Sequence, residues 1–351
     1  MTWVALRSLR DRAFENAKRI QPQIPTRPLM LRGSLFFELD LSENLGSETV
    51  FEVGCLWEGH DHSCEISLKE GGIFVTLRLG DADDCVDKMD IPTEVIGRTV
   101  FLTLTWDVVA QSGFLALEAA KGTIVRKNSY ISRLPLCSEM VRKIADGDFY
   151  GSQNVAWVAV SDEIEPICAF PTLTEGSNVR TPSGYVDVSD LQAGDLVWTS
   201  DHGPKPIRWI LERTLPVVGA LRPRRIYPPL YDVTQELTLG PSQRVLLECE
   251  DMEYVLGHAS GLARIDEMAW ASGGVVVKDC AVLRYYSLLF DDHEIIDVNG
   301  CLCESQYVGG MLRYKAFLPQ TLYAQMPISY MPRHRKRARI ALQRYELADI
   351  A

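Results

Sequence analysis

Residues 172–209, TLTEGSNVRTPSGYVDVSDLQAGDLVWTSDHGPKPIRW, decide the fold of the second half of this 351-residue chain. A short apolar strand leads into the turn Thr181-Pro182-Ser183-Gly184, and a second strand follows that turn. The step DLQAGDLV, at 190–197, then precedes a third strand. Short apolar segments separated by Pro/Gly turns predict strands and hairpins rather than helices. We therefore expect an all-β domain that begins here.

Two further blocks follow in the chain, LTLGPSQRVLL at 237–247 and YSLLFDDHEIIDVNGCLCES at 286–305. With the opening block they resemble, in order, the motifs of the hedgehog/intein (Hint) domain in its bacterial form. That family continues its opening block as "DHGPxPIRW", and its later motifs read "SPQHRVLL" and "HLLFDxHEVIxxxGLxSES". The resemblance spans roughly residues 168 to 308. Three blocks in the family's order are more specific evidence than a single motif. It implies a domain that cuts or splices its own backbone.

The resemblance also assigns roles to residues. In an intact Hint domain a Cys or Ser attacks the carbonyl of the preceding residue, and a His of the middle motif protonates the departing nitrogen. The family entry "CFTPGT" places Thr172 at the nucleophile position, and "SPQH" places Gln243 at the His position and Gly240 at its leading Ser or Thr. A threonine hydroxyl is a weaker nucleophile than a thiol near neutral pH, and glutamine has no titratable proton to deliver. We therefore expect a degenerate domain that does not cleave itself.

The alternative is an active autoproteolytic domain that cleaves before Thr172 or Cys168, so any enzymatic activity is at most self-processing. Cys168 would be the nucleophile if the entry strand slipped by four residues, but a cysteine in the connector is the plainer interpretation. His293 matches a position of the family's closing motif, not the His of the middle motif that Gln243 replaces. We expect His293 to have a structural role rather than to act as an acid or base. His202 and His258 stand apart from other ligand-type residues, so we expect them at surface or satisfied polar positions.

The N-terminal half is predicted to consist of short strands joined by turns. Alternation is clear in FLTLTW at 101–106, and turn residues at 70–72 and 111–113 predict two hairpins. One helix is expected at about Ser138–Ala145. The predicted strands are Ser34–Leu39, Val50–Leu56, Glu65–Leu68, Ile73–Leu79, Val100–Trp106, Phe114–Ala119 and Val155–Val160.

This many strands with turn signals favour a β-sandwich. The hairpin TLTWDxxxxSGFLALE at 103–118 and the late strand VAWVAVSDE at 155–163 resemble the concanavalin A/laminin-G-like jelly roll. That resemblance implies a domain that binds ligands, and a carbohydrate or a protein is the ligand class left open. The sequence of this half shows none of the patterns typical of an enzyme: we find no paired carboxylates, no nucleotide loop and no Ser/His/Asp arrangement.

The N-terminus and the cysteines bear on location. The chain has nine cysteines without a CxxC pair, and no apolar run approaches the ~20 residues of a membrane span. The first residues lack the continuous apolar core of a secretory signal. We expect reduced thiols in a cytoplasmic protein, or one exported without a classical signal peptide. Apolar spacing predicts a short amphipathic helix from Trp3, Val4, Leu6, Leu9, Phe14 and Ala17.

Charge argues against nucleic acid as a partner, since 47 Asp and Glu outnumber 36 Lys and Arg and give a net charge of −11. The run RHRKRAR at 333–339 offers a surface for nucleic acid or another acidic partner, but pairing with the acidic body or solvation is the favoured interpretation. Neither the acidic clusters nor the cysteines and histidines show metal-ligand spacing, so no metal and no cofactor are expected. Cys301 and Cys303 would face one side of a strand, as core residues rather than a metal or redox pair.

These observations predict an all-β architecture in four parts. An N-terminal amphipathic helix or arm (1–29) precedes a concanavalin A-like, jelly-roll-like β-sandwich (30–165). A Hint-type all-β domain (166–308) and a basic, partly helical C-terminal tail (309–351) follow. The acidic, Pro-ended connector at 162–166 predicts halves that separate there. A degenerate Hint domain would then act as a scaffold that presents the sandwich for binding.

Overall fold

The computed structural model describes residues 2–10, 27–43, 46–69, 71–81, 84–120, 123–130, 135–168, 170–248, 250–272, 275–277 and 280–349. The chain forms two compact units. The first comprises Met1–Cys168 with the short segments Val218–Ala220 and Lys278–Ala281, and the second comprises Ala169–Val217, Leu221–Val277 and Val282–Ala351.

The first unit is a β-sandwich built from two antiparallel sheets. One sheet joins six of the described strands in the order β1-β13-β3-β8-β9-β10, and the other joins five in the order β12-β4-β5-β6-β7. Leu35 and Phe37 of the first sheet and Val53 and Ile66 of the second belong to one buried apolar cluster. The strands are β1 Trp3–Ser8, β2 Leu29–Met30, β3 Arg32–Asp40, β4 Glu48–Trp57, β5 His60–Lys69, β6 Gly72–Leu79, β7 Cys85–Asp90, β8 Thr99–Asp107, β9 Ser112–Ala119, β10 Thr123–Tyr130, β11 Leu136–Cys137, β12 Tyr150–Gly151 and β13 Val155–Ser161.

All seven strands predicted for this half are present, and so are both predicted hairpins. The expected helix is α1, Ser138–Asp146. Its polar and apolar residues alternate with helical spacing, and it ends at Gly147, whose φ of 83° suits glycine.

The predicted N-terminal helix is wrong for the residues that the structure describes. Trp3–Ser8 forms strand β1, which pairs antiparallel with β13 from Trp3↔Ser161 to Ser8↔Trp157. The reason is tertiary: β1 satisfies the backbone groups of β13, which would otherwise be an open sheet edge. Trp3, Val4 and Ala5 are all buried there, which a surface helix would not achieve. Leu9 lies just after the strand, and Phe14 and Ala17 lie outside the described residues.

The second unit also contains two sheets. One joins six described strands in the order β19-β25-β14-β21-β20-β24. The other runs β16-β15-β26-β27-β22-β23-β28, with β17 paired to β26 and β18 paired to β17. The strands are β14 Leu173–Thr174, β15 Asn178–Thr181, β16 Gly184–Asp187, β17 Leu196–Thr199, β18 Gly203–Pro206, β19 Trp209–Pro216, β20 Arg224–Ile226, β21 Leu237–Leu239, β22 Arg244–Glu248, β23 Ser260–Arg264, β24 Val275–Val276, β25 Val282–Leu289, β26 Ile295–Val298, β27 Cys301–Glu304 and β28 Ile340–Ala341.

Helices are short in this unit, and the fold is all-β as predicted. The α-helices are α2 Glu250–Leu256, α3 Ile265–Ser272 and α4 Arg344–Asp349. The 3₁₀ helices of the chain are Thr93–Val95, Gly219–Leu221, Leu230–Asp232, Met311–Gln320, Leu322–Gln325 and Ile328–Tyr330. Within the described ranges, no helix combines the length and the apolar character needed to cross a bilayer.

Candidate active site

Thr172 is fixed by its backbone between two strands. Its N–H donates to the carbonyl of Tyr286 at 3.0 Å, and its carbonyl accepts the N–H of Gly240 at 2.6 Å. The next residue, Leu173, pairs with Leu239 on one side and with Tyr286 on the other. The turn that follows contains Gly176 with a φ of 90°, a conformation that favours glycine. The entry strand therefore has one defined register.

Gln243 lies beside Thr172, at the end of a turn between β21 and β22. Its N–H donates to the carbonyl of Gly240 at 3.0 Å, and its side chain is almost fully buried, with 1% of the residue exposed. The hydroxyl of Thr172 donates a hydrogen bond to Oε1 of Gln243. The structure thus brings together the two residues that occupy the nucleophile and His positions, although they are 71 residues apart in sequence.

The orientation of the Gln243 amide follows from its other partners. Nε2 donates to the carbonyl of Arg244 at 2.7 Å and to the carbonyl of Glu304 at 3.0 Å. Two carbonyl acceptors require the nitrogen on that side, so Oε1 must face Thr172. Both amide hydrogens are therefore engaged, and neither is available to a reacting group.

This arrangement has a clear chemical consequence. The acceptor of the Thr172 hydroxyl is a neutral amide oxygen, which orients the hydroxyl but cannot take its proton as an imidazole can. Among the described hydrogen bonds of these two side chains, none supplies a base to the hydroxyl or an acidic proton to the leaving nitrogen, and acyl transfer requires both.

Gly240 occupies the position of the family's Ser or Thr, and the space beside it is filled by Thr172. A Cβ at residue 240 would lie 3.0 Å from the Cα of Thr172 and 3.3 Å from its carbonyl oxygen. These contacts with backbone atoms are tighter than most real Cβ contacts. A side chain at residue 240 therefore requires the Thr172 backbone to shift by a few tenths of an ångström.

Cys168 ends the first unit, whereas Thr172 and Gln243 belong to the second. It is buried, with a φ of 53°, and its N–H donates to Oε1 of Glu118 at 2.7 Å. The residue that bonds Gln243 is Thr172. The structure thus has the unslipped register.

His293 belongs to a buried ionic cluster rather than to the Thr172–Gln243 pair. Its Nδ1 accepts the N–H of Ala338 at 2.9 Å, so the neutral ring carries its proton on Nε2. That nitrogen lies 3.3 Å from Oε2 of Glu304. The same carboxylate pairs with Arg244 at 2.9 Å and with Arg337 at 2.7 Å. His293 reaches Gln243 only through Glu304, whose backbone carbonyl accepts from the amide.

The cluster sets the charge of Glu304. Burial acts to raise its pKa, but the hydrogen bond to His293 and the charges of Arg244 and Arg337 outweigh burial and lower the pKa below its usual value. Glu304 is therefore an ionised, paired structural group. Sequence reasoning missed the other members of this cluster, Arg244, Glu304 and Arg337, although Arg244 and Glu304 stand in the middle and closing motifs.

His202 lies at a surface position with a satisfied polar contact, as predicted. Its side chain is 51% exposed, and its Nδ1 lies 2.9 Å from Oε2 of the buried Glu294, which is distant in sequence. Cys301 and Cys303 are both buried on β27, and the hydrogen bond between them together with burial raises the pKa of the Cys303 thiol. Among the residues described, no three His, Cys, Asp or Glu side chains are grouped to hold a metal ion.

Comparison with known proteins bears on both units. Residues 171–310 match the family model of the Hint domain, so the second half of the chain contains a Hint domain, as its three motifs predicted. No curated protein was found to match the chain.

Three solved structures show weak likenesses to the chain. One is the CBM40 of the Ruminococcus gnavus IT-sialidase, bound to α2,6-sialyllactose (14% identity, 48% of this chain, 95% of that chain, TM-score 0.28). Another is the receptor-binding domain of botulinum neurotoxin type G (9% identity, 60% of this chain, 66% of that chain, TM-score 0.24). A third is the SAP-like pentraxin of Limulus polyphemus (11% identity, 46% of this chain, 75% of that chain, TM-score 0.23). TM-scores this low show neither a shared fold nor a shared ligand.

Proposed function

We propose that this Hint domain no longer processes its own backbone and instead serves as a scaffold for the N-terminal sandwich. The observation that carries the proposal is the hydrogen bond from the Thr172 hydroxyl to Oε1 of Gln243. Both hydrogens of the same amide are held by the carbonyls of Arg244 and Glu304. The site is therefore closed on itself, without a base for the hydroxyl or an acid for the leaving nitrogen.

An amide is a resonance-stabilised bond, so its cleavage needs both an activated nucleophile and a protonated leaving group. General acid or base catalysis contributes roughly 10²–10⁴-fold to such a step. A domain that lacks both contributions can keep its fold while the rate of backbone cleavage becomes negligible.

The sandwich is the half to which we assign ligand binding. The support is the resemblance of its hairpin at 103–118 and its late strand to concanavalin A/laminin-G-like domains, and a carbohydrate or a protein is the proposed ligand class. Binding of the full chain to a glycan array, compared with its binding to the same array after heat denaturation, tests the carbohydrate class.

An intact-mass measurement tests the loss of processing. We expect freshly expressed full-length protein to remain at 39.4 kDa during incubation with dithiothreitol or hydroxylamine, which intercept thioesters and esters. Thr172→Ala provides the matched control, because it removes the hydroxyl and keeps the backbone. The parent and this variant should be equally intact.

Two results would overturn the proposal in different ways. A fragment pair breaking between Pro171 and Thr172, absent from Thr172→Ala, would show a threonine-dependent active domain. A break between Ile167 and Cys168, absent from Cys168→Ala, would show that cleavage uses the earlier cysteine.

A further inference from the structure

A surface pocket of about 440 Å³ lies in the second unit, and its described lining residues all follow the 171–310 span of the Hint match. Its lining residues are Lys315, Arg333, His334 and Arg335. Lys315 comes from the 3₁₀ helix Met311–Gln320, and the other three come from the basic run near the C-terminus. Two separate segments thus place three cationic side chains around one cavity.

These three cations differ from the basic residues around them. Arg337 pairs with Glu304, Arg339 pairs with Asp201, and Arg208 pairs with Asp291. By contrast, Lys315, Arg333 and Arg335 form no ion pair with any carboxylate that the structure describes. In a chain with 47 acidic residues, cations left over from internal pairing are available to an external anion.

The wall of the pocket is held in place from inside. His334 is 5% exposed, its Nδ1 accepts the N–H of Val308 at 3.3 Å, and its Nε2 donates to the carbonyl of Phe290 at 3.1 Å. Burial lowers the pKa of this imidazole, so the ring is neutral near pH 7. Both of its nitrogens are used, and His334 therefore anchors Arg333 and Arg335 on either side of it rather than binding a ligand itself. Fixing His334 keeps the chain that carries both arginines next to the pocket, which removes part of the entropy cost of binding.

We propose that this pocket binds a small, multiply charged oxyanion, such as the phosphate or sulfate groups of an ester. Guanidinium groups match the planar oxygen pairs of such anions, and a lysine ammonium adds a point charge. The volume accommodates two linked anionic groups together with their immediate substituent, which is the size range of small-molecule sites. This function is independent of self-processing and of the sandwich.

The test uses the full-length protein and two probes, inorganic pyrophosphate and a disulfated disaccharide, in isothermal titration calorimetry at low salt. We expect saturable binding of at least one probe, and which one binds tells the phosphate from the sulfate source. Arg335→Gln should weaken that binding about fivefold, and the double variant Arg333→Gln/Arg335→Gln about tenfold or more. The matched control is Lys336→Gln, since Lys336 has the same charge and follows Arg335 directly but is not among the described residues that line the pocket.

Lys336→Gln should stay within about twofold of the parent if the pocket, rather than overall charge, binds the anion. The proposal is overturned if neither probe binds the parent, or if Lys336→Gln loses as much affinity as Arg335→Gln. Unchanged thermal unfolding of each variant is expected, because the replaced side chains are exposed.

Discussion

At the residue scale, the Thr172–Gln243 pair brings the family's nucleophile and His positions into direct hydrogen-bond contact. Gln243 presents to the hydroxyl an amide oxygen, which only accepts hydrogen bonds. Its nitrogen is committed to two carbonyls, which makes the glutamine a structural link between β22 and β27. The residues that would carry the chemistry therefore now hold the strands together.

The first prediction restores the reactive groups. In Thr172→Cys/Gln243→His, the thiol gains nucleophilicity and the imidazole supplies the acid, each worth roughly 10²-fold or more. We expect thiol-induced cleavage between residues 171 and 172 in the double variant, detected by intact mass, and none in either single variant, because residues acting as a unit are not additive. Cleavage in Gln243→His alone would show instead that the threonine hydroxyl needs only a base.

The second prediction concerns Gly240. A serine there would return the family hydroxyl, but its Cβ would lie 3.0 Å from the Cα of Thr172. We expect Gly240→Ser to lower the melting temperature and to slow cleavage when added to the double variant, since overpacking costs about 1–3 kcal/mol. Gly310→Ser is the control, because a Cβ at 310 meets nothing within 4 Å. Faster cleavage in the triple variant would contradict the crowding argument.

At the element scale, the C-terminal segment is part of the second unit rather than an appendage. Strand β28 pairs in parallel with β23, and Leu342 is buried where a Cβ at Gly261 would be only 2.8 Å from its side chain. Arg337 enters the cluster of Glu304 from the same segment. The basic residues of this run therefore divide into those that pair inward and those that line the pocket.

The third prediction separates these two groups. Arg337→Gln removes one of two guanidinium partners of Glu304 and should cost about 1–3 kcal/mol of unfolding free energy at neutral pH. Lys336→Gln, its exposed neighbour, should cost almost nothing. Because the pKa of Glu304 is lowered in the folded protein, its contribution is present above its unfolded pKa and is lost as the pH falls. The deficit of Arg337→Gln should therefore shrink toward acidic pH in denaturant titrations, and a pH-independent deficit would argue for lost packing alone.

The elements also show what sequence can and cannot predict. The sequence pattern located strands such as β8 and β13 because short runs of apolar and β-branched residues between turns are typical of buried strands, and both are buried along nearly their whole length. It missed β7, Cys85–Asp90, in which half of the residues are charged. It took Trp3–Ser8 for helix because pairing with β13 is not visible locally. Motif alignment brought Thr172 and Gln243 together, whereas Arg337 of the same network lies outside every motif.

At the scale of the whole molecule, the first unit is discontinuous in sequence. It includes Val218–Ala220, whose residue Ala220 donates its N–H to Oε2 of Glu38 at 2.7 Å. The indole of Trp157 donates to the same oxygen at 2.6 Å. Gly219 lies so close that a Cβ would be 2.2 Å from that oxygen. A boundary at residue 165 would thus divide a unit whose buried carboxylate depends on a segment more than fifty residues further on.

The fourth prediction follows from that carboxylate. Burial raises the pKa of Glu38, although the hydrogen bonds from Ala220 and Trp157 oppose it. A carboxyl whose folded pKa is raised contributes stability below its unfolded pKa, about 4.3, and loses it as the pH rises through the folded value. Glu38→Gln keeps one oxygen for both donors and carries no charge, so it should remove this loss. The melting temperature of the parent should therefore fall, relative to that of Glu38→Gln, as the pH rises above about 4.3. Glu52→Gln, at an exposed position of β4, is the control, and its melting temperature should change with pH as that of the parent does. If Glu38→Gln is equally destabilised at every pH, the second carboxylate oxygen rather than the charge is the group that matters.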